Sequence, residues 1–237
     1  MNKFFTAIAG LALAASATSV FGGEITGKIT LTGTPPPERE ITPITADKNC
    51  GALHDKPVMT RSYVKGEGDG LGNVFVSITA GLPAGKTYDL PTSKPVVDQV
   101  GCMYEPFLTA VMAGQAFSLK NSDPVMHNVN ALAKVNKGFN FAQATQGAEN
   151  DKTFDKPELV KLICNVHPWM SGYVKVCDSP FFAITDKDGN FKIAGDLPDG
   201  KYTVEVQHLK AGIKTSDVEV KGGKATLNVA LEVPAPK

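Results

Sequence analysis

A two-residue alternation of apolar and polar side chains recurs along this sequence, with no helical period of any length to rival it, and this limits the chain to a β architecture. Residues 24–32 alternate and are rich in β-branched types. Further strand patterns run over 73–78, 107–112, 115–120, 159–163, 172–176, 182–185, 190–193, 201–206, 216–220 and 225–231. Between them, 33–40 carries three consecutive prolines and reads as a loop. Residues 41–72 have no sustained period and read as irregular, and 83–95 is a Pro- and Gly-punctuated connection. Residues 134–157 are polar and Gly-rich, fit for a long excursion with one or two short strands. Asp188-Gly189 lies between two alternating runs and predicts a hairpin, because that turn needs positive φ.

Chemistry concentrates in Cys164-Asn165-Val166-His167-Pro168-Trp169-Met170. The spacing Cys-x2-His-x2-Met puts a thiolate, an imidazole and a thioether on one tight turn between two apolar runs. Such a turn aims three side chains at one point, and a fourth ligand must come from elsewhere. His127, in Met126-His127-Asn128, is the candidate donor. Two imidazoles and one thiolate in a trigonal plane, with a weak axial thioether, form the ligand set of a mononuclear blue-copper electron-transfer site.

The N-terminus reads as a targeting segment. Lys3 precedes an apolar run over 4–15, and Ala15-Ser16-Ala17 offers a small-x-small cleavage site, with Gly22-Gly23 as a later alternative. The run is too short for a membrane span, so residues 1–22 are expected to be a signal peptide of a periplasmic protein. No cysteine stands there to take a lipid anchor. Formal net charge is zero, which gives no reason to expect nucleic acid or an anionic membrane as partner. Four cysteines are present. With Cys164 as a ligand, an odd number remains, and Cys50 with Cys102, both in turn-rich segments, is the favoured disulfide; Cys177 would then be free. Cys50-x3-His54 is a weaker second metal pair, and His208 reads as a surface or interface residue.

Two stretches resemble known families. Asn121-Ser122-Asp123-Pro124-Val125-Met126-His127-Asn128-Val129, preceded by Ala113-Gly114-Gln115, is similar to the first-histidine segment of the cupredoxins. The Cys164 to Met170 loop, followed by Ser171-Gly172-Tyr173-Val174, resembles that of amicyanin more than the longer loop of plastocyanin. The resemblance covers about 95–178. It implies His127, Cys164 and His167 as equatorial ligands, Met170 as the axial one, and Asn128 as a residue tying the two ligand segments together. Met126 departs from the family, standing where a proline often precedes the first histidine. The strand before Cys164 also lacks the usual Gly-x-Tyr-x pattern.

Thr185-Asp186-x-Asp188-Gly189-x-Phe191 and Leu197-Pro198-x-Gly200-x-Tyr202 resemble a carboxypeptidase regulatory-like, or transthyretin-like, β-sandwich. That fold normally opens with strands like those at 25–29 and 74–78, which lie before the copper motif. The expected fold is therefore a Greek-key cupredoxin sandwich (95–178) inserted into a second, smaller sandwich (23–94 with 179–237); a simple tandem is the alternative.

The implied function is one-electron transfer between periplasmic redox proteins through one type 1 copper. Pro168 and Trp169 would either form an apolar rim around an exposed His167 edge, where a partner docks, or pack under the turn. No nucleophilic triad or paired carboxylates accompany the site, and only four histidines exist, too few for a further copper centre; no enzyme activity is expected. The rival reading is copper storage or delivery, with the second sandwich docking a partner.

Overall fold

The computed structural model describes residues 22–235; the signal-peptide expectation falls almost wholly outside them. The described chain is all-β, arranged as two pairs of sheets. In one pair, Glu24–Thr32 is flanked by Asn190–Ala194 and by the short parallel strands Lys224–Thr226 and Val229–Glu232. Its companion sheet runs Phe182–Ile184, Val74–Ala80, Gly200–His208, Gly212–Val220. Ile25, Ile29, Val74, Val76, Ile193, Val204 and Val206 fill one core between them. Alternation dictates this: Tyr202, Val204 and Val206 are buried while their neighbours are half-exposed.

The second pair takes its strands from the stretch between Val74–Ala80 and Phe182–Ile184. One sheet orders Met103–Glu105, Val96–Val100, Phe117–Asn121, Glu149–Lys152; the other orders Leu108–Met112, Ser171–Cys177, Glu158–Ile163, His127–Leu132, Asn140–Gln143. Val111, Phe117, Leu119, Val129, Leu162, Val174 and Phe154 pack between them. Cys164 and Met170 lie at the end of this core.

Four expectations need correction. Residues 41–72 are not wholly irregular: Thr42–Ala46 and Lys48–Gly51 form short helices, with Pro43 in the first turn of one and the Asp47 carboxylate accepting from the Asn49 and Cys50 N–H groups at the start of the other. Asp186 to Gly189 does turn tightly, with Gly189 at φ 82°, yet the flanking strands pair with different sheets, so the turn is a corner between layers rather than a hairpin. The run over 225–231 splits into two strands. There the Leu227 carbonyl presses against Gly27, where a Cβ would sit only 1.8 Å from it, and Asn228 Oδ1 takes the Lys28 N–H. Finally, of the surface and interface readings of His208 the surface one fails: the residue is buried, its ring lies tilted against Tyr63 at 5.3 Å, and its Nδ1 accepts from the Lys210 and Ala211 N–H groups.

A small third apolar cluster joins Ile44, Cys50, Cys102 and Met103 with Ile41, Val58, Val125 and Trp169. It is the underside of the two short helices, and it lies against the metal-ligand loop.

Candidate metal centre

His127 opens the strand His127–Leu132, which alternates buried and half-exposed residues so that His127, Val129 and Ala131 face inward. Glu158–Ile163 pairs antiparallel with this strand, Ile163 opposite Asn130. That register carries the following residue, Cys164, to the neighbourhood of His127 and Asn128. The loop then closes on itself: Cys164 N donates to Met170 O at 3.2 Å, and Met170 N to His167 O at 2.9 Å. Tyr104, fully buried, reaches across both strands with its hydroxyl on the Asn128 and Ile163 carbonyls.

The loop brings together the residues expected to bind metal. His127 Nδ1 lies 3.0 Å from His167 Nδ1, and Cys164 Sγ lies 3.7 Å from His167 Nδ1. One donor atom from each of the three falls within 4.8 Å of the others. An ion bound at about 2.0 to 2.3 Å from nitrogen and sulfur could touch all three without large movement, so the donor set fits a single N2S-bound metal. Met170 is fully buried in the same core cluster as Cys164. His127 and Cys164 are also sealed from solvent.

The surroundings fix the donors. His127 Nε2 donates to Asp123 Oδ2 at 2.8 Å, which places a ring proton on Nε2 and turns Nδ1 toward the other donors. Asp123 is buried and also accepts from the Gly101 and Cys102 N–H groups at 2.7 and 2.8 Å. Burial alone would raise its carboxyl, but the contact with His127 and these N–H groups hold it below the usual range. For His127, burial pulls the ring down while the Asp123 and Cys164 contacts outweigh it and lift it. Cys164 is raised by burial, yet its contacts with His127 and the Asn128 N–H (3.4 Å) bring the thiol below its ordinary value. His167 is lowered by burial and then by the neighbouring His127. These directions ease deprotonation of Cys164 and of the His167 ring, and the deprotonated forms are the ones that bind a metal.

Asn128 bridges the two segments. Its N–H points at Cys164 Sγ, and its side-chain oxygen accepts from Asn165 N at 3.3 Å, linking the strand of His127 to the loop of Cys164. Cys50 and Cys102 are bridged by a disulfide, and Cys164 and Cys177 are free. Cys177 is buried, and burial pushes its thiol up to about 12. His54 lies outside the centre, its Nε2 2.8 Å from the Gly101 carbonyl, and Cys50 in the bridge cannot join it as a ligand pair.

Of the two arrangements open for Pro168 and Trp169, the structure shows His167 largely covered: the residue is only 7% exposed. The physical reason is the disulfide-braced cap. Cys50 and Cys102 each place a sulfur within 4.8 Å of a His167 ring nitrogen, Trp169 lies against the His167 ring at 5.1 Å, and Trp169 Nε1 donates to Cys102 O at 3.2 Å. Pro168 remains exposed, while Trp169 is half-buried beneath the cap. Two participants had gone unassigned in the sequence. Asp123 is part of the quoted first-histidine segment, and a carboxylate four residues before a candidate ligand was its only signal. The cap over 41–58 had none beyond the favoured cysteine pair.

No family model matches the chain, and no curated protein matches it. Among solved structures, it is similar to a copper-containing nitrite reductase from Thermus scotoductus, at 20% identity over 44% of this chain and 25% of that one, with a TM-score of 0.35. It therefore spans a quarter of that enzyme's length. A purple cupredoxin from Nitrosopumilus maritimus is 23% identical over 35% of this chain and 96% of its own, TM-score 0.30. A reduced amicyanin mutant is 24% identical over 38% of this chain and 87% of its own, TM-score 0.33.

Proposed function

We propose that this chain is an exported type 1 copper protein that passes single electrons between periplasmic redox partners, built as a cupredoxin unit inserted into a transthyretin-like sandwich. The observation that carries the reading is the convergence of His127 Nδ1, His167 Nδ1 and Cys164 Sγ, with Met170 buried in the same core as Cys164. Bound copper supplies a one-electron couple there. The chain's own residues hold the donors in place: Asp123 sets the His127 tautomer, Asn128 ties the two ligand segments, and the Cys164–Met170 backbone bond closes the loop. A preformed, water-excluding cage suits an ion that changes oxidation state without changing neighbours.

The same closure weighs against copper delivery, which needs a ligand that can be handed over, and His167 lies under a disulfide-braced lid. The two remaining histidines are engaged elsewhere, His54 on Gly101 and His208 in its turn. Export rests on the N-terminal sequence; among the described residues no helix is long and apolar enough to cross a membrane.

A competition experiment separates the two readings. Copper-loaded protein is cycled between oxidised and reduced forms in the presence of a strong Cu(I) chelator. The electron-carrier reading expects the metal to stay through repeated cycles. Loss to the chelator during the first reduction would favour delivery.

A further inference from the structure

Trp169 is the protein's only tryptophan, and it touches two places at once. One is the His167 ring, at 5.1 Å between centroids. The other is a cleft of about 390 Å³ between the two sandwiches, which it lines together with Phe107, Tyr173, Arg61, Ser171 and Lys210. Phe107 and Tyr173 meet edge to face at 5.6 Å, and the Arg61 guanidinium stacks over Phe107 at 4.8 Å while pairing with Glu105. Lys210 comes from the turn joining Gly200–His208 to Gly212–Val220, so the second sandwich supplies the other cation. The indole does not swing freely, because its Nε1 is bonded to the Cys102 carbonyl.

We propose that this cleft binds a planar aromatic reductant with acidic hydroxyls, of the hydroquinone class, and that Trp169 connects that ring to His167. The proposal rests on the electron-carrier reading for its purpose and on the cleft alone for its binding. The cleft lies within the size range of small-molecule sites. Three aromatic side chains offer faces and edges to a flat ring. Lys210, with Arg61 beside it already paired to Glu105, favours the deprotonated hydroxyl, which gives up an electron more readily, and Ser171 offers a hydroxyl to the ring oxygens. With His167 sealed by the cap, Trp169 is the side chain that both touches this ligand and reaches a cleft. The exchange balances as one hydroquinone and two copper(II)-loaded molecules giving one quinone, two copper(I)-loaded molecules and two protons released to solvent.

The test uses the whole mature protein and a sulfonated naphthoquinone with its hydroquinone. Titrating the quinone into metal-free protein should quench Trp169 fluorescence saturably, and Lys210→Glu or Tyr173→Ala should weaken the apparent affinity about tenfold or more. In stopped flow, the reduction rate of copper-loaded protein should saturate with hydroquinone, and Trp169→Leu should lower the limiting rate at least tenfold. Quenching that never saturates, or titrations unchanged by both cleft variants, would overturn the binding site. A limiting rate unaffected by Trp169→Leu would overturn the route. Failure of the protein to form a copper–thiolate centre would sink the electron-carrier reading, while the metal-free titration would still decide the cleft.

Discussion

Removing the Cys50–Cys102 bridge probes stability and the closure of the metal centre in one variant. The cysteines are 52 residues apart. Loop-closure entropy for that separation is about 14 cal/mol/K, or roughly 4 kcal/mol at 25 °C. With a urea slope of about 2 to 3 kcal/mol/M, Cys50→Ala/Cys102→Ala should lower the unfolding midpoint by about 1.3 to 2 M. The cap loses its brace in the same variant. Both bridge sulfurs lie within 4.8 Å of a His167 ring nitrogen, and Cys102 also carries the N–H and C=O that meet Asp123 and Trp169. Copper should therefore be extracted by a chelator at least tenfold faster from the double variant than from the parent, under conditions where both are folded. Visible absorption follows the extraction, and circular dichroism follows the unfolding. A midpoint shift below about 0.3 M, together with unchanged extraction, would refute the view that a disulfide-braced cap seals the centre.

Other perturbations have defined outcomes. Asp123→Ala strips the acceptor from His127 Nε2 and from two buried backbone N–H groups; it should cost about 3 kcal/mol in folding stability and lower copper affinity about 10- to 100-fold, read by urea melts and metal competition. Met170→Leu keeps the volume of a fully buried side chain, so it should cost less than about 1.5 kcal/mol, yet shift the reduction potential measured by voltammetry because the proposed axial donor is gone. An unchanged potential would remove Met170 from the ligand set. Burial drives His208 down to about 4, with Glu38 opposing and Lys210 adding slightly. Because the folded value lies below the unfolded one, its contribution is fully present above about pH 6.5 and is lost as pH falls toward 4, by about 3 kcal/mol in all. The stability difference between the parent and His208→Gln, followed by thermal or urea melts from pH 7 to 4, should narrow by that amount; a constant difference would contradict it.

The all-β class could be read in the sequence because strand alternation is local: Gly200–His208 buries every second residue, as its pattern requires. The Cys164-x2-His167-x2-Met170 spacing was equally readable, since a short loop leaves few ways to point its side chains. What the sequence hid depends on distant chain segments. Asp123 matters because Gly101 and Cys102, some twenty residues away, bring their N–H groups to it. His167 is buried because residues 41–58 fold over it, and a five-residue helix such as Thr42–Ala46 is too short to show a period. The Asp188-Gly189 pair signals a turn but not a corner, because its local geometry is the same whether the flanking strands pair with each other or with facing sheets.

The central claim is tested most directly by titrating Cu(II) into the mature protein with visible absorption and EPR, in parallel with Cys164→Ser. The account requires one equivalent to produce an intense thiolate-to-copper band and a narrow copper hyperfine splitting, both lost in the variant. A weak spectrum with ordinary hyperfine splitting, or a signal that survives Cys164→Ser, would contradict it.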